Sequence, residues 1–206
     1  MSQPATPSPV AELSTAGRYV VLVCAFLGWF FCGFHMAITS IAMRPAAVDL
    51  LARSDLLDKA EYARLVKVPE KERQATFTSD QRAQFDAWNE RVGSWFSWLS
   101  AAYLFGGASG GWLFGQLGDR IGRSKSMALC ILTYSLLAGA ATFAQTPWQL
   151  ALLWYGASLG FGGMWPNGVA LVSEAWSNVS RSFTAGAIGT AANIGIFLFS
   201  SLVAVV

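Results

Sequence analysis

The sequence predicts an all-α integral membrane protein, on three observations. The 206 residues are 54% hydrophobic and only 13% charged, and they include nine tryptophans and fourteen phenylalanines. The apolar residues form long runs, and the charged residues lie between these runs rather than within them. Uninterrupted apolar runs of this length are typical of helices that cross a lipid bilayer.

Five apolar runs are long enough, or nearly so, to cross the hydrocarbon layer. A helix rises about 1.5 Å per residue, so about 20 residues cross about 30 Å of hydrocarbon. Because no water is available there, the backbone must satisfy its hydrogen bonds within a helix. We therefore predict five transmembrane helices, the third slightly short, over residues 19–43, 95–117, 127–143, 148–172 and 183–206.

The N-terminal segment differs in composition from the rest of the chain. Residues 1–17 are rich in Pro, Ser, Ala and Thr, and their only charged residue is Glu12. They lack the basic start and the cleavage pattern of a secretory signal peptide. We predict that they form a disordered cytoplasmic tail.

Between the first two spans, residues 44–92 have the composition of a soluble protein. They carry nine basic and nine acidic residues, with helical patterns over 58–67 and 80–92. Thr78 and Gln81 have the spacing of a capping box before the second pattern. We predict a small helical insertion outside the membrane, continuing into the second span. Its charges indicate either a solvated face or, less simply, a binding surface.

The charges outside this insertion predict which ends of the helices face the cytoplasm. If the helices alternate in direction, every charge outside residues 44–92 falls on one side, and that side holds five Lys or Arg. Basic residues favour the cytoplasmic side. We therefore predict a multi-pass protein of the inner membrane, with a cytoplasmic N-terminus and an extracytoplasmic insertion.

Several classes of function are disfavoured. Cys24, Cys32 and Cys130 lie in apolar runs, where cysteine behaves as a small hydrophobe rather than as a metal ligand. No basic block indicates nucleic acid, and no paired carboxylates or nucleophile motif indicate an enzyme. We expect no metal and no cofactor, and the lipid bilayer as the constant partner.

The segment between the second and third predicted spans carries the most specific motif. It reads GQLGDRIGRSK over residues 115–125. This resembles the loop signature of the major facilitator superfamily, Gly-x-Leu-Ala-Asp-Arg-x-Gly-Arg-Arg/Lys-x. The matching residues are Gly115, Gly118, Asp119, Arg120, Gly122, Arg123 and Lys125, with glycine at 118 in place of the usual alanine. An ordinary basic loop would need neither the Asp-Arg pair nor the phased glycines.

The resemblance implies a gating role for these charges. In the superfamily the aspartate pairs across the cytoplasmic helix ends in one state and releases during alternating access. Glu174 and Arg181, which bracket the turn after the fourth span, resemble the charged pair that completes such a latch. The resemblance thus implies a gate formed by Asp119, Arg120, Glu174 and Arg181, unless the last two are merely solvated.

Two further runs are similar to sugar, organic-acid and sialate-type porters of the same superfamily. The fourth span reads GFGGMWPNG over residues 160–168, and Met164 stands where those porters have an acid. Trp154 stands where many have a basic residue. In the first span, Cys32 and His35 stand at positions where relatives bear acids. The carboxylates of proton symporters are therefore missing from this part of the chain.

Four polar or aromatic residues in the spans are candidates for solute or ion contacts. His35 is costly in lipid, and an imidazole in water has a pKa of about 6.5, so it can titrate near neutrality. Trp165 and Asn167 flank Pro166, which interrupts the fourth span, and Asn193 lies in the fifth. Each candidate has an alternative interpretation as a contact between helices.

The resemblance implies a secondary transporter, of the symporter kind, for a small polar solute of the organic-acid or sugar class. Such proteins have twelve spans in two bundles, with the solute held between them. We expect this chain to be an incomplete half, whose C-terminal half is either missing or present as a separate chain. The alternative is a membrane interaction or assembly protein that derives from a transporter and does not transport.

Overall fold

The computed structural model describes residues 13–205, and these residues are almost entirely helical. Residues 1–12 of the predicted tail lie outside the described part, while residues 15–17 are helical, so that the predicted tail is three residues too long. The helices are α1 (Thr15–Arg53), α2 (Lys59–Val66), α3 (Glu70–Thr76), α4 (Ser79–Ile121), α5 (Arg123–Ala140), α6 (Pro147–Ala175) and α7 (Arg181–Val205), with a short 3₁₀ turn (Ala141–Phe143) after α5.

Within residues 13–205, three helical segments are long and apolar enough to cross a membrane. They are Thr15–Arg53, Arg123–Phe143 and Arg181–Val205. Helices α4 and α6 are as long as a span needs, with 43 and 29 residues, but glycine, serine, tryptophan and asparagine lower their mean hydropathy. The all-helical membrane fold is confirmed, and the number of five spans stays a prediction.

Local sequence explains where the helices begin. The Thr78 hydroxyl accepts a hydrogen bond from the Gln81 backbone, and the Gln81 side chain accepts one from the Thr78 backbone, which confirms the predicted capping box. Thr146 and Gln149 form a second capping box at α6, with Pro147 in the first turn. These reciprocal bonds satisfy backbone donors that a helix start would leave unpaired.

Helix α6 lies at the centre of the bundle, against α1, α4 and α5, and α7 packs mainly on α1 and also touches α6. The crossings depend on glycines at which one backbone touches another. A β-carbon on Gly110 would meet the backbone of Leu159, one on Gly162 would meet that of Gly107, and one on Gly160 would meet that of Cys130. Small residues permit this approach where lipid supplies no hydrophobic drive for association.

At the opposite end from the α4–α5 turn, residues 44–92 fold into a unit with its own core, which we call the cap. The end of α1, all of α2 and α3, and the first turns of α4 contribute to it. Arg44 donates to the Asn89 side chain at 2.8 Å and to the Tyr62 hydroxyl at 3.2 Å, which ties α1 to α2 and α4. The core of the cap comprises Leu51, Leu57, Tyr62, Leu65, Phe77, Phe85, Trp88 and Val92.

Candidate functional site: a charged latch and an aromatic row

Arg123 joins the ends of three helices at the end of the bundle opposite the cap. Its Nη2 donates to Asp119 Oδ1 at the end of α4, and its Nε lies 3.9 Å from Glu174 Oε1 at the end of α6. Its Nη1 donates to the Gly115 carbonyl at 3.3 Å. We call Asp119, Arg123 and Glu174 the charged latch. Bonds to a charged guanidinium are stronger than neutral ones, and the fork of Arg suits two acceptors at once.

The backbone turn at Gly122 places Arg123 there. Gly122 has φ of 97°, in the left-handed region that favours glycine, and it separates α4 from α5. The turn directs the first side chain of α5 back over the last turns of α4. The glycine of the signature is thus required by the backbone conformation.

The other charges of the signature have different positions. Arg120 and Lys125 are exposed at this end of the bundle. Arg181, at the start of α7, lines a cavity of about 220 Å³ together with Arg123, Ser173 and Glu174. The structure therefore places Arg181 beside the latch, while the ion pairs of Asp119 and Glu174 run through Arg123 rather than Arg120.

Asn167 lies directly inside the latch, at the contact between α4 and α6. Its Nδ2 donates to the carbonyls of Phe114 and Gly163, each at 2.9 Å. The side chain is fully buried, and its Oδ1 has no hydrogen-bond partner among the residues that the structure describes. The bond to Phe114 joins α4 to α6, and the bond to Gly163 lies within α6, which is the contact between helices that the sequence left open as the alternative for Asn167.

A continuous series of aromatic rings crosses the middle of the bundle. Trp29 on α1 contacts Trp165 and Phe161 on α6, with ring centroids 5.1 and 5.6 Å apart. Phe161 stacks on Tyr103 of α4 at 5.8 Å, and the Tyr103 ring stacks on His35 at 6.0 Å. The series, which we call the aromatic row, comprises Trp165, Trp29, Phe161, Tyr103, His35 and Tyr134.

His35 lies in the polar part of this row, between Tyr103 and Tyr134. Its Nδ1 lies 3.4 Å from the Tyr103 hydroxyl and 3.5 Å from the Thr39 hydroxyl, at hydrogen-bond distance from both. Thr39 also donates to the His35 carbonyl at 2.8 Å. A neutral imidazole can donate to or accept from such hydroxyls, so the row offers flat apolar faces next to polar groups.

The remaining predicted candidates divide by exposure. Cys32, Trp154 and Met164 are buried in the packed bundle, and a β-carbon on Gly28 would collide with the end of the Met164 side chain. Trp165 is 36% exposed, and Asn193 is exposed with only a 3.4 Å bond to the Gly189 carbonyl. Within residues 13–205, no group of three or more His, Cys, Asp or Glu could hold a metal ion.

Sequence reasoning missed four members of the aromatic row: Trp29, Tyr103, Phe161 and Tyr134. A usable signal existed, because Phe161 and Trp165 are four residues apart and therefore share one face of a helix. The partners on α1 and α4 depend on helix packing, which no local spacing encodes.

Long apolar helices around a central helix, with charged groups gathered at one end, define a multi-pass membrane protein. The sequence model of the Major Facilitator Superfamily matches residues 81–206, which is more than half of the chain. The chain belongs to this superfamily. No solved structure matches it significantly.

Curated relatives are bacterial transporters. The chain is similar to a benzoate transport protein of Acinetobacter baylyi, at 33% identity over 41% of this chain and 19% of that protein. It is also similar to a niacin transporter of the same organism, at 40% identity over 37% of this chain and 18% of the relative. A gallate transporter of Pseudomonas putida is 31% identical over 48% of this chain and 22% of its own length. The matched regions thus span at most about a quarter of the relatives.

Proposed function

We propose that this chain forms one helical bundle of an alternating-access transporter for a small aromatic acid. The observation that carries the proposal is the charged latch, in which the signature residues Asp119 and Arg123 meet Glu174 at the ends of α4, α5 and α6. An ion pair at exposed helix ends adds little to stability but can favour one of two conformations. A gate needs such a pair, because it must favour one conformation and still release.

In this proposal five helices, α1, α4, α5, α6 and α7, span the inner membrane, and the latch faces the cytoplasm. The indole N–H of Trp176 donates to the Arg18 carbonyl at 3.3 Å, so the start of α1 lies at the same end as the latch. That end therefore collects the five basic residues that lie outside the cap. The positive-inside bias places it in the cytoplasm and the cap outside.

The aromatic row supports an aromatic acid over a sugar. The benzoate, gallate and niacin of the relatives' names are each a flat ring bearing a carboxylate. Ring pairs at offset or edge-on geometry contribute about 0.5–1.5 kcal/mol beyond the area they bury. The faces of Trp29 and Trp165 can stack on such a ring, and His35 can donate to its carboxylate.

The mechanism requires a second bundle. In this superfamily the solute site lies between two bundles that rock against each other, and this chain supplies one wall of it. Whether the second bundle is part of the same polypeptide or a separate subunit does not alter the role of the latch. We propose that the 206 residues bind the solute weakly and do not transport it alone.

Binding to the purified chain in lipid nanodiscs tests this function. Benzoate, gallate and nicotinate should quench tryptophan fluorescence saturably, and glucose should not. Trp29→Leu should reduce the quenching amplitude and the affinity, whereas Trp148→Leu, an exposed tryptophan outside the row, should leave the affinity unchanged. Absence of binding by any acid would favour the non-transporting alternative, and uptake by proteoliposomes of the chain alone would contradict the need for a second bundle.

A further inference from the structure

The orientation of the Asn167 amide is fixed by its surroundings. Both hydrogens of Nδ2 are used, one on the Phe114 carbonyl and one on the Gly163 carbonyl. Exchanging the nitrogen and oxygen would place an acceptor against two acceptors, so the assignment follows from the hydrogen bonds. Oδ1 therefore points the other way, fully buried and without a partner among residues 13–205.

The unpaired oxygen occupies the space that a β-carbon at position 118 would take. Asn167 Oδ1 and Arg123 Nη1 both lie within 3.1 Å of the point where a β-carbon on Gly118 would stand. The Arg123 side chain is the least exposed member of the latch, at 21%, against 66% for Asp119 and 65% for Glu174. The guanidinium therefore lies between exposed carboxylates on one side and a buried acceptor on the other.

We propose that Asn167 is a positioning residue that provides Arg123 with a second site. When Asp119 and Glu174 release the guanidinium, it turns inward over Gly118 and donates to Asn167 Oδ1. The inward position supplies the missing donor to a buried acceptor, and a bond from a charged donor is the stronger kind. Glycine rather than alanine at 118 keeps this path open.

This inference concerns how the latch moves, and it holds whichever solute is carried. Because Asn167 lies on α6 beside Pro166, the inward position would couple the latch to the central helix at the point where proline interrupts its hydrogen bonding. The latch then has two defined positions rather than one closed and one disordered position.

A thermal-stability cycle tests the proposal on the full chain in nanodiscs. In a Cys24→Ser background, a thiol-reactive dye reports unfolding through the buried Cys32 and Cys130. Asn167→Ala should lower the Tm in this parent, because the bond that joins α6 to α4 at Phe114 and the bond to Gly163 within α6 are both lost. The double variant Asp119→Asn with Glu174→Gln releases the guanidinium. In that background Asn167→Ala should lower the Tm by about 2–4 °C more than it does in the parent, the shift that one additional hydrogen bond makes in a protein of this size.

Two controls separate positioning from packing. Adding Arg123→Met should abolish the extra fall, since methionine has no donor for the Asn167 oxygen. Asn167→Asp keeps an oxygen facing Arg123 but loses both donated bonds, so its Tm should fall, and it should fall by several degrees more with Arg123→Met than with Arg123 present. Equal effects of Asn167→Ala in both backgrounds, or a penalty for Asn167→Asp that ignores residue 123, would overturn the proposal.

Discussion

The backbone of Gly33 lies directly against the backbone of Ala192. A β-carbon at position 33 would meet the carbonyl oxygen, the α-carbon and the carbonyl carbon of Ala192. Helices α1 and α7 therefore touch through main-chain atoms, which cannot move aside as a flexible side chain could.

Gly33→Ala should destabilise the bundle by about 1–3 kcal/mol, because the new methyl group forces two backbones apart. Gly186→Ala on α7 is the matched control, since nothing lies within 4 Å of its β-carbon position. There the better helix propensity of alanine should leave stability unchanged or slightly raised. Thermal unfolding in nanodiscs measures both, and equal Tm values for the two variants would contradict the close contact.

Gly118→Ala should also destabilise, although alanine is the usual residue at this position of the signature. The Asn167 oxygen fills the space, and the Arg123 side chain crowds it. Gly115→Ala, three residues earlier with open space at its β-carbon, should be tolerated. Combining Gly118→Ala with Asn167→Ala should cost less than the sum of the two changes. Strict additivity of the Tm shifts would refute a shared space.

Asp119→Asn should affect the conformational cycle more than stability. Its carboxylate is 66% exposed, and exposed ion pairs contribute at most about 1 kcal/mol. In a transporter that joins this bundle to a second one, the variant should slow solute exchange while leaving the affinity within a few-fold. The counterflow rate and the equilibrium binding constant separate the two effects. Lost binding with unaltered exchange would exclude a gating role.

His35→Gln should flatten the pH dependence of solute binding between about pH 5 and 8. His35 is the one histidine of the chain, and it lies within 3.5 Å of two hydroxyls in the polar part of the aromatic row. Tyr103→Phe keeps the stacked ring but removes one hydroxyl, so a pH dependence should remain. Binding titrations at a series of pH values provide the measurement. A profile that survives His35→Gln would assign His35 to helix packing.

Single cysteines at Ser79 and Ser124 test the orientation in the membrane. Ser79 begins α4 within the cap, and Ser124 lies in the first turn of α5 beside the latch. With Cys24, Cys32 and Cys130 replaced by serine, an impermeant thiol reagent should label position 79 in intact cells, and position 124 only after permeabilisation. Faster labelling at position 124 in intact cells would invert the topology.

Those parts of the structure that depend on local chemistry could be predicted from the sequence. The capping box of Thr78 and Gln81 needs only two side chains at fixed spacing, and it forms as predicted. The gate of Asp119, Arg120, Glu174 and Arg181 stays a prediction, and the structure adds which charges pair. Arg120 follows Asp119 directly, and neighbouring residues on a helix do not face each other. The turn at Gly122 instead brings Arg123 to both carboxylates.

The sequence could not show which candidate residues face other helices and which face a solute or lipid, because lipid and protein core are both apolar. A span has apolar residues all round, so its pattern does not show which side faces other helices. For this reason the sequence left Asn167 open between a solute contact and a contact between helices, and the structure shows its amide joining α6 to α4. The aromatic row was missed because Trp29, Phe161 and Tyr103 come from three helices that meet only after packing.

The uninterrupted course of α4 has a mechanical consequence. Its 43 residues make a rod about 65 Å long, roughly twice the thickness of the hydrocarbon layer. If such a rod tilts by about 10° around its middle, its two ends move about 6 Å in opposite directions. The cap at one end of α4 and Asp119 at the other end then move together. A fluorescent label on the cap would read the position of Arg123, and a binder that grips the cap would arrest it.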